Sequence, residues 1–123
     1  MEGDPLDPIT TYGPQTDKAQ YDNICKFLRK AREDCVNFLL GGPPMAQEDG
    51  GLLVPPTLAH NPPEDNDLMK EGVFGAVSCV VTFTDEEDVI RRANGTVYSL
   101  YASVFTPDIN RALRVAKTFE AGQ

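Results

Sequence analysis

The sequence is poor in the residues that build most metal and nucleophilic sites. It has one histidine, His60, and three cysteines, Cys25, Cys35 and Cys79, which stand in dissimilar contexts and form no closely spaced pair. Because zinc and iron sites need several ligands at characteristic spacings, we expect no metal site. The odd number of isolated cysteines argues against the disulfide framework of a small secreted protein. We therefore expect reduced thiols that pack in the interior.

Basic residues are also scarce. Lys and Arg number 11 against 19 Asp and Glu, which gives a formal charge of −8, and no basic cluster is interleaved with aromatic residues. This balance excludes the usual surface of a nucleic-acid-binding protein. No apolar run reaches the length of a membrane span, and the first residues lack the basic start and apolar stretch of a secretory signal. These absences predict a soluble, cytoplasmic protein with no membrane partner.

Proline and glycine occur ten times each, in a chain whose hydrophobic and charged fractions, 41% and 24%, are ordinary for a globular protein. A length of 123 residues fits one domain, so we expect residues 1–123 to form a single unit. The Pro- and Gly-rich stretches predict an extended arm over residues 1–15 and surface loops over residues 43–51 and 61–66.

The first half of the chain shows one clear amphipathic pattern. Apolar residues recur at three- and four-residue spacing, which predicts a helix from a cap at Thr16 or Asp17 to about Asp34. Residues 36–40 predict a short strand. Residues 52–58 predict a further extended segment, which we place at a sheet edge or outside the sheet because its two prolines cannot donate ladder hydrogen bonds.

Two strand–helix pairs are predicted in the second half, and each helix begins at a threonine cap. In chain order they are a strand over residues 76–83, a helix from Thr84 with Glu87 to about Asn94, a strand over residues 98–105, and a helix from Thr106 to Gly122. This order with short links implies a right-handed crossover between parallel neighbouring strands. The predicted class is α/β, with a mixed or parallel sheet flanked by about three helices.

Four stretches occur together in the order and at the spacing of a known family. They are Pro5 to Pro8 leading to Gly13-Pro14-Gln15, Leu40-Gly41-Gly42, Lys70 to Gly75, and Tyr98 to Thr106. Arg111-Ala112 and Glu120-Ala121-Gly122 follow the last of them. Over nearly its whole length the chain resembles the later part of the catalytic domain of the aldehyde dehydrogenase superfamily, and its fungal members most. The resemblance implies a partial aldehyde-dehydrogenase catalytic-domain fold.

The resemblance also implies which functional parts this sequence does not contain. In the family, the dinucleotide-binding domain, the nucleophilic cysteine and the general-base glutamate precede the matched region, and the oligomerisation strand follows it. Aldehyde oxidation needs a thiolate, a base and a cofactor fold. We therefore expect that the chain is not an aldehyde dehydrogenase on its own.

The cofactor contacts that the resemblance implies are only partly present. The family's pair of glutamates before Phe-Gly is here Glu71 followed by Gly72, although the second glutamate normally holds the nicotinamide-side ribose. Phe74 matches the neighbouring cofactor contact, whereas Asn23 stands where many relatives have a lysine near the ribose. We interpret Glu71 and Phe74 as vestiges of a cofactor site, and we expect no cofactor.

Aromatic residues and the single histidine supply the candidates for a ligand site. The five candidates are His60, Phe74, Tyr98, Tyr101 and Phe105. Core packing is the competing interpretation for the aromatic residues, and a solvated loop position is the competing interpretation for the histidine. A pocket lined by these side chains suits a small apolar metabolite better than a charged one.

Two classes of function remain open. In the first, the chain is repurposed to bind an apolar metabolite and to promote a cofactor-free cyclisation or isomerisation, pericyclic reactions included, in small-molecule biosynthesis. Hydrogen bonds from Tyr98, Tyr101 or His60 would assist such a reaction. In the second, it is a non-catalytic interaction protein or an expressed fragment of a full-length NAD(P)-dependent aldehyde dehydrogenase. Exposed sheet edges predict a homodimer or higher homo-oligomer in either case.

Overall fold

The computed structural model describes residues 3–44 and 51–122. Residues 45–50 of the predicted 43–51 loop lie outside the described residues. The elements are α1 (Lys18–Glu33), β1 (Asn37–Leu40), β2 (Thr57–His60), α2 (Asp67–Lys70), β3 (Val77–Val80), α3 (Glu86–Asn94) and α4 (Ile109–Ala116). They fall into two compact units, a first unit Met1–Val81 and a second unit Thr82–Gln123. That the two units form one domain stays a prediction.

Helix α1 confirms the amphipathic pattern and supplies half of the buried hydrophobic residues of the first unit. It begins at the N-cap Asp17, whose side chain accepts a hydrogen bond of 2.8 Å from the backbone N–H of Gln20. Such a cap satisfies a donor that the first turn of a helix leaves unpaired. The buried face of the helix consists of Ile24, Cys25, Leu28 and Ala31. The helix ends where Cys35 adopts a positive φ of 59°.

The sheet is mixed, with the strand order β1-β2-β3. Strand β2 pairs antiparallel with β1 and parallel with β3, which confirms the expected mixed α/β sheet. Residues 52–58 were expected at a sheet edge or outside the sheet. Residues 52–56 do lie outside it, but the expectation is wrong for Thr57 and Leu58, which begin the central strand β2. Pro55 and Pro56 precede Thr57, and the first N–H of the strand donates to the carbonyl of Ala76 at 2.8 Å. The prolines therefore remove no ladder hydrogen bond.

The second unit holds two helices whose caps differ from the predicted ones. The N-caps are Asp85 and Asp108, which accept backbone N–H groups of their own helices, in place of the predicted Thr84 and Thr106. Helix α4 ends at Ala116, before Gly122. Helix α3 ends at Asn94 as predicted.

The predicted strand over residues 98–105 is not formed. The predicted crossover between it and the strand at residues 76–83 is therefore wrong, since the parallel pair is β2 and β3, joined through the short helix α2. Pairing between strands depends on partners elsewhere in the molecule, which local sequence does not reveal. Among the described residues no helix is long and apolar enough to cross a membrane.

An ion-pair cluster links the helices of the second unit. The carboxylate of Glu86 on α3 accepts from the guanidinium groups of Arg111 and Arg114 on α4, at 2.8 Å and 2.7 Å. The hydrogen bond from Arg114 is the main reason that the pKa of Glu86 lies below its ordinary value. A carboxyl group whose pKa is lowered in the folded state stabilises the fold above its ordinary pKa, and this stabilisation is lost as the pH falls.

Replacing Gly41 with alanine should destabilise the first unit. Gly41 has a positive φ of 66°, and an added Cβ would meet the carbonyl oxygen of Pro56 and lie 3.0 Å from the Cα of Thr57. A left-handed conformation costs a non-glycine residue about 1–2 kcal/mol before the backbone clash is added. We expect Gly41→Ala to lower the free energy of unfolding by about 2 kcal/mol or more, measured by urea denaturation followed by circular dichroism.

Gly13→Ala is the matched control for Gly41→Ala. Its added Cβ would lie 3.7 Å from the Cβ of Pro5, an ordinary contact. We expect a change of less than about 0.5 kcal/mol in the control. Equal effects of the two substitutions would contradict the proposed strain at Gly41.

Candidate functional site

The loop of residues 70–75, which joins α2 to β3, is the first candidate region. Within this 70–75 loop, Phe74 has a positive φ of 52° and a side chain that is 78% exposed. A non-glycine residue in this conformation carries a cost that the surrounding structure has to offset. An exposed aromatic ring on a strained backbone position is a feature that marks functional loops more often than packing.

Helix α1 fixes the geometry of this loop by two contacts. A Cβ on Gly75 would lie 2.6 Å from Cδ1 of Ile24, so only glycine lets the loop approach the helix this closely. One turn before Ile24, the Nε2 of Gln20 donates to the carbonyl oxygen of Val73 at 3.3 Å and to that of Phe74. The amide of Gln20 therefore holds the strained backbone in place.

Gln20 was not among the candidates that the sequence supplied. The signal that points to it is its spacing, because it precedes the buried Ile24 by four residues and so lies on the same face of α1. A polar residue at the end of an apolar helix face often hydrogen-bonds the element that packs there. The sequence alone does not say which element that is.

The ring of Phe74 occupies the space beside Gly72. A Cβ on Gly72 would lie 2.7 Å from Cε2 of Phe74. Glu71 is exposed at the C-terminal cap of α2, where its N–H donates to the carbonyl of Asp67 at 2.9 Å, and Asn23 is exposed on α1. Gly72, where the family's ribose-binding carboxylate is expected, has no side-chain acceptor, and the ring of Phe74 lies beside it. These residues do not fit the ribose of a dinucleotide.

The second unit contains a cavity of about 230 Å³. Tyr98 and Tyr101 line it, together with Asn94. The side chain of Asn94 donates to the carbonyl of Thr118 at 2.8 Å and accepts from the N–H of Glu120 at 3.1 Å. Both the nitrogen and the oxygen of this side-chain amide therefore make hydrogen bonds that fix the wall of the cavity. The hydroxyl of Tyr101 accepts a 2.6 Å hydrogen bond from Ser103.

The five sequence-derived candidates do not line a single cavity. Tyr98 and Tyr101 share the cavity just described, whereas Phe105 lines a second one of about 260 Å³ with Phe83, Glu86 and Val115 among its other residues. Phe74 and His60 belong to the first unit and line neither cavity. His60 ends β2 and is half-buried, with Nε2 at 3.4 Å from the side-chain nitrogen of Asn61.

The three thiols differ in exposure. Cys25 is fully buried in the core, and burial raises the pKa of the half-buried Cys79. Cys35 is exposed, so the expectation that it packs in the interior is wrong; it follows the last turn of α1, beyond the buried face. A thiol nucleophile needs a lowered pKa and access to substrate, so the burial of Cys25 and the raised pKa of Cys79 each act against that role. In residues 3–44 and 51–122, no three His, Cys, Asp or Glu side chains converge to form a metal site.

Comparisons with known proteins agree on one family. A model of the aldehyde dehydrogenase family matches residues 2–123. Human aldehyde dehydrogenase 1A1 is 38% identical over 120 residues, which is 98% of this chain and 24% of that protein. A betaine aldehyde dehydrogenase of Sinorhizobium fredii is 37% identical over 121 residues, which is 98% of this chain and 25% of that protein. The chain thus spans about a quarter of the length of these relatives.

Solved structures show the same fold. A crystal structure of an indole-3-acetaldehyde dehydrogenase complexed with NAD+ matches with a TM-score of 0.90 at 33% identity, over 99% of this chain and 25% of that chain. An aldehyde dehydrogenase from Bacillus cereus matches with a TM-score of 0.89 at 30% identity, over 98% of this chain and 24% of that chain. These matches confirm the fold that the resemblance implied.

Replacing Gln20 with methionine should loosen the 70–75 loop. Methionine has a similar length but no donor, so the carbonyl oxygens of Val73 and Phe74 lose the amide hydrogen bonds. A net hydrogen-bond contribution of about 1 kcal/mol predicts roughly fivefold faster hydrogen exchange of the backbone amides at residues 73–75. Mass spectrometry of deuterium uptake measures this rate.

Lys18→Met is the control for this substitution. Lys18 lies on the same helix, and its ammonium group pairs with Asp22 at 2.6 Å. We expect its replacement to leave exchange at residues 73–75 unchanged. If Gln20→Met left the exchange unchanged as well, the proposed role of Gln20 would be wrong.

Proposed function

Because this chain belongs to the aldehyde dehydrogenase family, we propose that its 123 residues act as the later part of a catalytic domain of that family, without oxidation chemistry of their own. The observation that carries this proposal is the 70–75 loop. Its backbone keeps the family's Phe-Gly step, but it presents the ring of Phe74 over Gly72 in place of a carboxylate.

The thiols support the proposal. Aldehyde oxidation begins with attack of a thiolate on the carbonyl carbon, so the nucleophile needs a lowered pKa and access to the substrate. Cys25 is fully buried, and the raised pKa of Cys79 disfavours its thiolate. Cys35 is exposed, and its thiol donates to the carbonyl oxygen of Glu33 at 3.8 Å. Cys25 therefore lacks the access, and Cys79 the lowered pKa, of a catalytic cysteine.

The cofactor loop gives the second line of support. A ribose diol is recognised by a group that accepts hydrogen bonds from both hydroxyls, and a carboxylate is the strongest such acceptor among side chains. Gly72 supplies none, and the aromatic carbons of Phe74 beside it supply none either. The side chain of Asn23 is neutral, so it has no positive charge to pair with a phosphate group. The loop therefore contributes shape and an apolar contact to a catalytic domain, without binding the cofactor itself.

On this proposal, the chain acts together with the rest of a catalytic domain. That remainder is supplied by the same polypeptide or by another one. The relatives that the chain matches are aldehyde dehydrogenases about four times as long, so the activity of such an assembly is proposed to be aldehyde oxidation. Self-association into a homo-oligomer remains the competing proposal for how the chain is completed.

The 123-residue chain should neither bind nor reduce a nicotinamide cofactor. We expect no measurable heat on titration with NAD or NADP by calorimetry, and no reduced cofactor by absorbance when simple aldehydes are added. The indole-3-acetaldehyde dehydrogenase that matches this chain, which was crystallised with NAD+, serves as the positive control. A dissociation constant in the micromolar range for the chain alone would overturn the proposal.

A second candidate function is favoured by the cavity of about 230 Å³ in the second unit. Its volume suits a small metabolite, and Tyr98 and Tyr101 give it both aromatic surface and hydroxyl groups. We propose as this second candidate a cofactor-free cyclisation or isomerisation, in which the cavity holds an apolar substrate in a reactive conformation. Such a reaction needs no activated thiol.

Replacing Tyr101 with leucine tests the second candidate. Because Tyr101 is 75% exposed, its loss should leave the melting temperature within a few degrees while it removes one wall of the cavity. If the cavity is catalytic, a gene-deleted strain complemented with Tyr101→Leu should accumulate the same uncyclised or isomeric intermediate as the deletion. Complementation with Tyr101→Phe, which keeps the ring, controls for cavity shape. A metabolite profile that the deletion leaves unchanged would refute this candidate.

A further inference from the structure

The C-terminal end of α3 carries a dipeptide with a chemistry of its own. Asn94 is the last residue of the helix and Gly95 follows it, and no other asparagine of the sequence precedes a glycine. Asparagine side chains are chemically labile. A following glycine has no side chain, so its backbone nitrogen can approach the side-chain amide carbon closely. The Asn94-Gly95 step is therefore the place in this sequence where deamidation is expected first.

The fold restrains both groups that would react. The Nδ2 of Asn94 donates to the carbonyl of Thr118 at 2.8 Å, and its Oδ1 accepts from the N–H of Glu120 at 3.1 Å. Because the carbonyl needs a donor and the N–H needs an acceptor, these two partners fix the orientation of the amide. The N–H of Gly95 donates to the carbonyl of Arg92 at 3.2 Å. The amide carbon and the nitrogen that would attack it are thus both held in place.

The partners of Asn94 belong to the segment of residues 118–120, which follows α4 and docks against the end of α3. Phe119, in the middle of this 118–120 segment, is half-buried and lines the cavity of about 230 Å³ together with Asn94. Among the described residues of the second unit, Val115 alone is buried. Segments with few buried apolar contacts open locally at a low free-energy cost. Opening of the 118–120 segment would release the amide of Asn94.

We propose that Asn94 is a deamidation site whose reaction is gated by the docking of residues 118–120 and whose product undocks them. In the first step, the backbone nitrogen of Gly95 attacks the amide carbon of Asn94. A C–N bond forms, the bond to Nδ2 breaks, and ammonia leaves with the proton of the Gly95 N–H. Water then adds to either carbonyl of the cyclic imide and opens it to aspartate or isoaspartate. The proposal goes beyond both functions proposed above and depends on neither.

A carboxylate at residue 94 cannot replace the amide. It still accepts from the N–H of Glu120, but it has no proton for the carbonyl of Thr118, and two oxygen atoms would face each other where the 2.8 Å hydrogen bond now lies. The side chain of Glu120 adds a second negative charge on the same segment. Deamidation therefore separates the 118–120 segment from α3 and opens one wall of the cavity that this segment lines.

The rate of deamidation in the folded and in the urea-unfolded chain tests the gate. The full chain is incubated at neutral pH, and peptide mapping by mass spectrometry follows the conversion of Asn94 in both states. Two hydrogen bonds to the amide predict that conversion is about tenfold or more slower in the folded chain. In urea, Gly95→Ala should slow the conversion about tenfold, because a side chain hinders the attacking nitrogen. Equal rates for the folded and the unfolded chain would overturn the proposed gate.

Two variants show whether the 118–120 segment is the gate. Phe119→Ser weakens the docking of this segment and should speed conversion of Asn94 in the folded chain about fivefold, with no change in urea. Ile109→Ser is the matched control, because Ile109 is 67% exposed on α4 and does not line this cavity. We expect a change of less than about twofold in the control. Equal rates for the two folded variants would show that another motion controls the reaction and would overturn the proposal.

The effect of the product is tested with Asn94→Asp, which encodes the deamidated side chain. Hydrogen exchange of the Glu120 N–H, followed by NMR, should be about tenfold faster than in the unmodified chain. Asn110→Asp adds the same charge at an exposed position of α4 and should leave this exchange unchanged. An Asn94→Asp chain that keeps the original exchange rate would overturn the proposed undocking. Neither readout involves cofactor binding or turnover, so a failure here is distinguishable from a failure of the proposed function.

Discussion

The close approach of α1 to the 70–75 loop is the contact on which the core and the candidate site of the first unit both depend. Ile24 has no exposed surface, and its side chain fills the space that a Cβ on Gly75 would need. Gln20 lies one turn earlier on the same helix and donates hydrogen bonds to two carbonyl groups of the loop. One helix face therefore builds the hydrophobic core and holds Phe74 in its strained conformation. A change in the packing of α1 would move both.

Elements defined by local rules were predictable from the sequence. The cap at Asp17 and the apolar spacing of α1 gave its extent to within a residue or two, because capping and amphipathic periodicity are properties of neighbouring residues. The caps of α3 and α4 were misplaced by one and two residues. Thr84 and Asp85 are both good N-caps, as are Thr106 and Asp108, and only the path of the backbone decides which side chain reaches a free N–H.

Strand pairing was less predictable, because it depends on distant partners. Pro55 and Pro56 indicated a position at an edge or outside the sheet, and both lie outside it, but the ladder that begins at Thr57 has a neighbour on each side. Residues 98–105 have the composition of a strand, but the described residues provide no partner for them. In both cases the local sequence indicated the preference of the residues, but the location of the pairing partner determined whether they joined a sheet.

The 70–75 loop shows why resemblance to a family establishes fold more firmly than it establishes chemistry. Gly75 and Gln20 serve the packing of α1, so a chain that keeps this core keeps the backbone of the loop whether or not a cofactor binds there. Residue 72 is in a different position, between the exposed Glu71 and the ring of Phe74. A Cβ added at this position would meet the ring of Phe74, which is 78% exposed and lies beside Gly72. The identity of residue 72 therefore bears on the surface of the loop and on the ring of Phe74, not on the contact between Gly75 and Ile24. A loop of this kind keeps the backbone path of the family while single side chains on its surface differ, so the fold alone does not establish the chemistry.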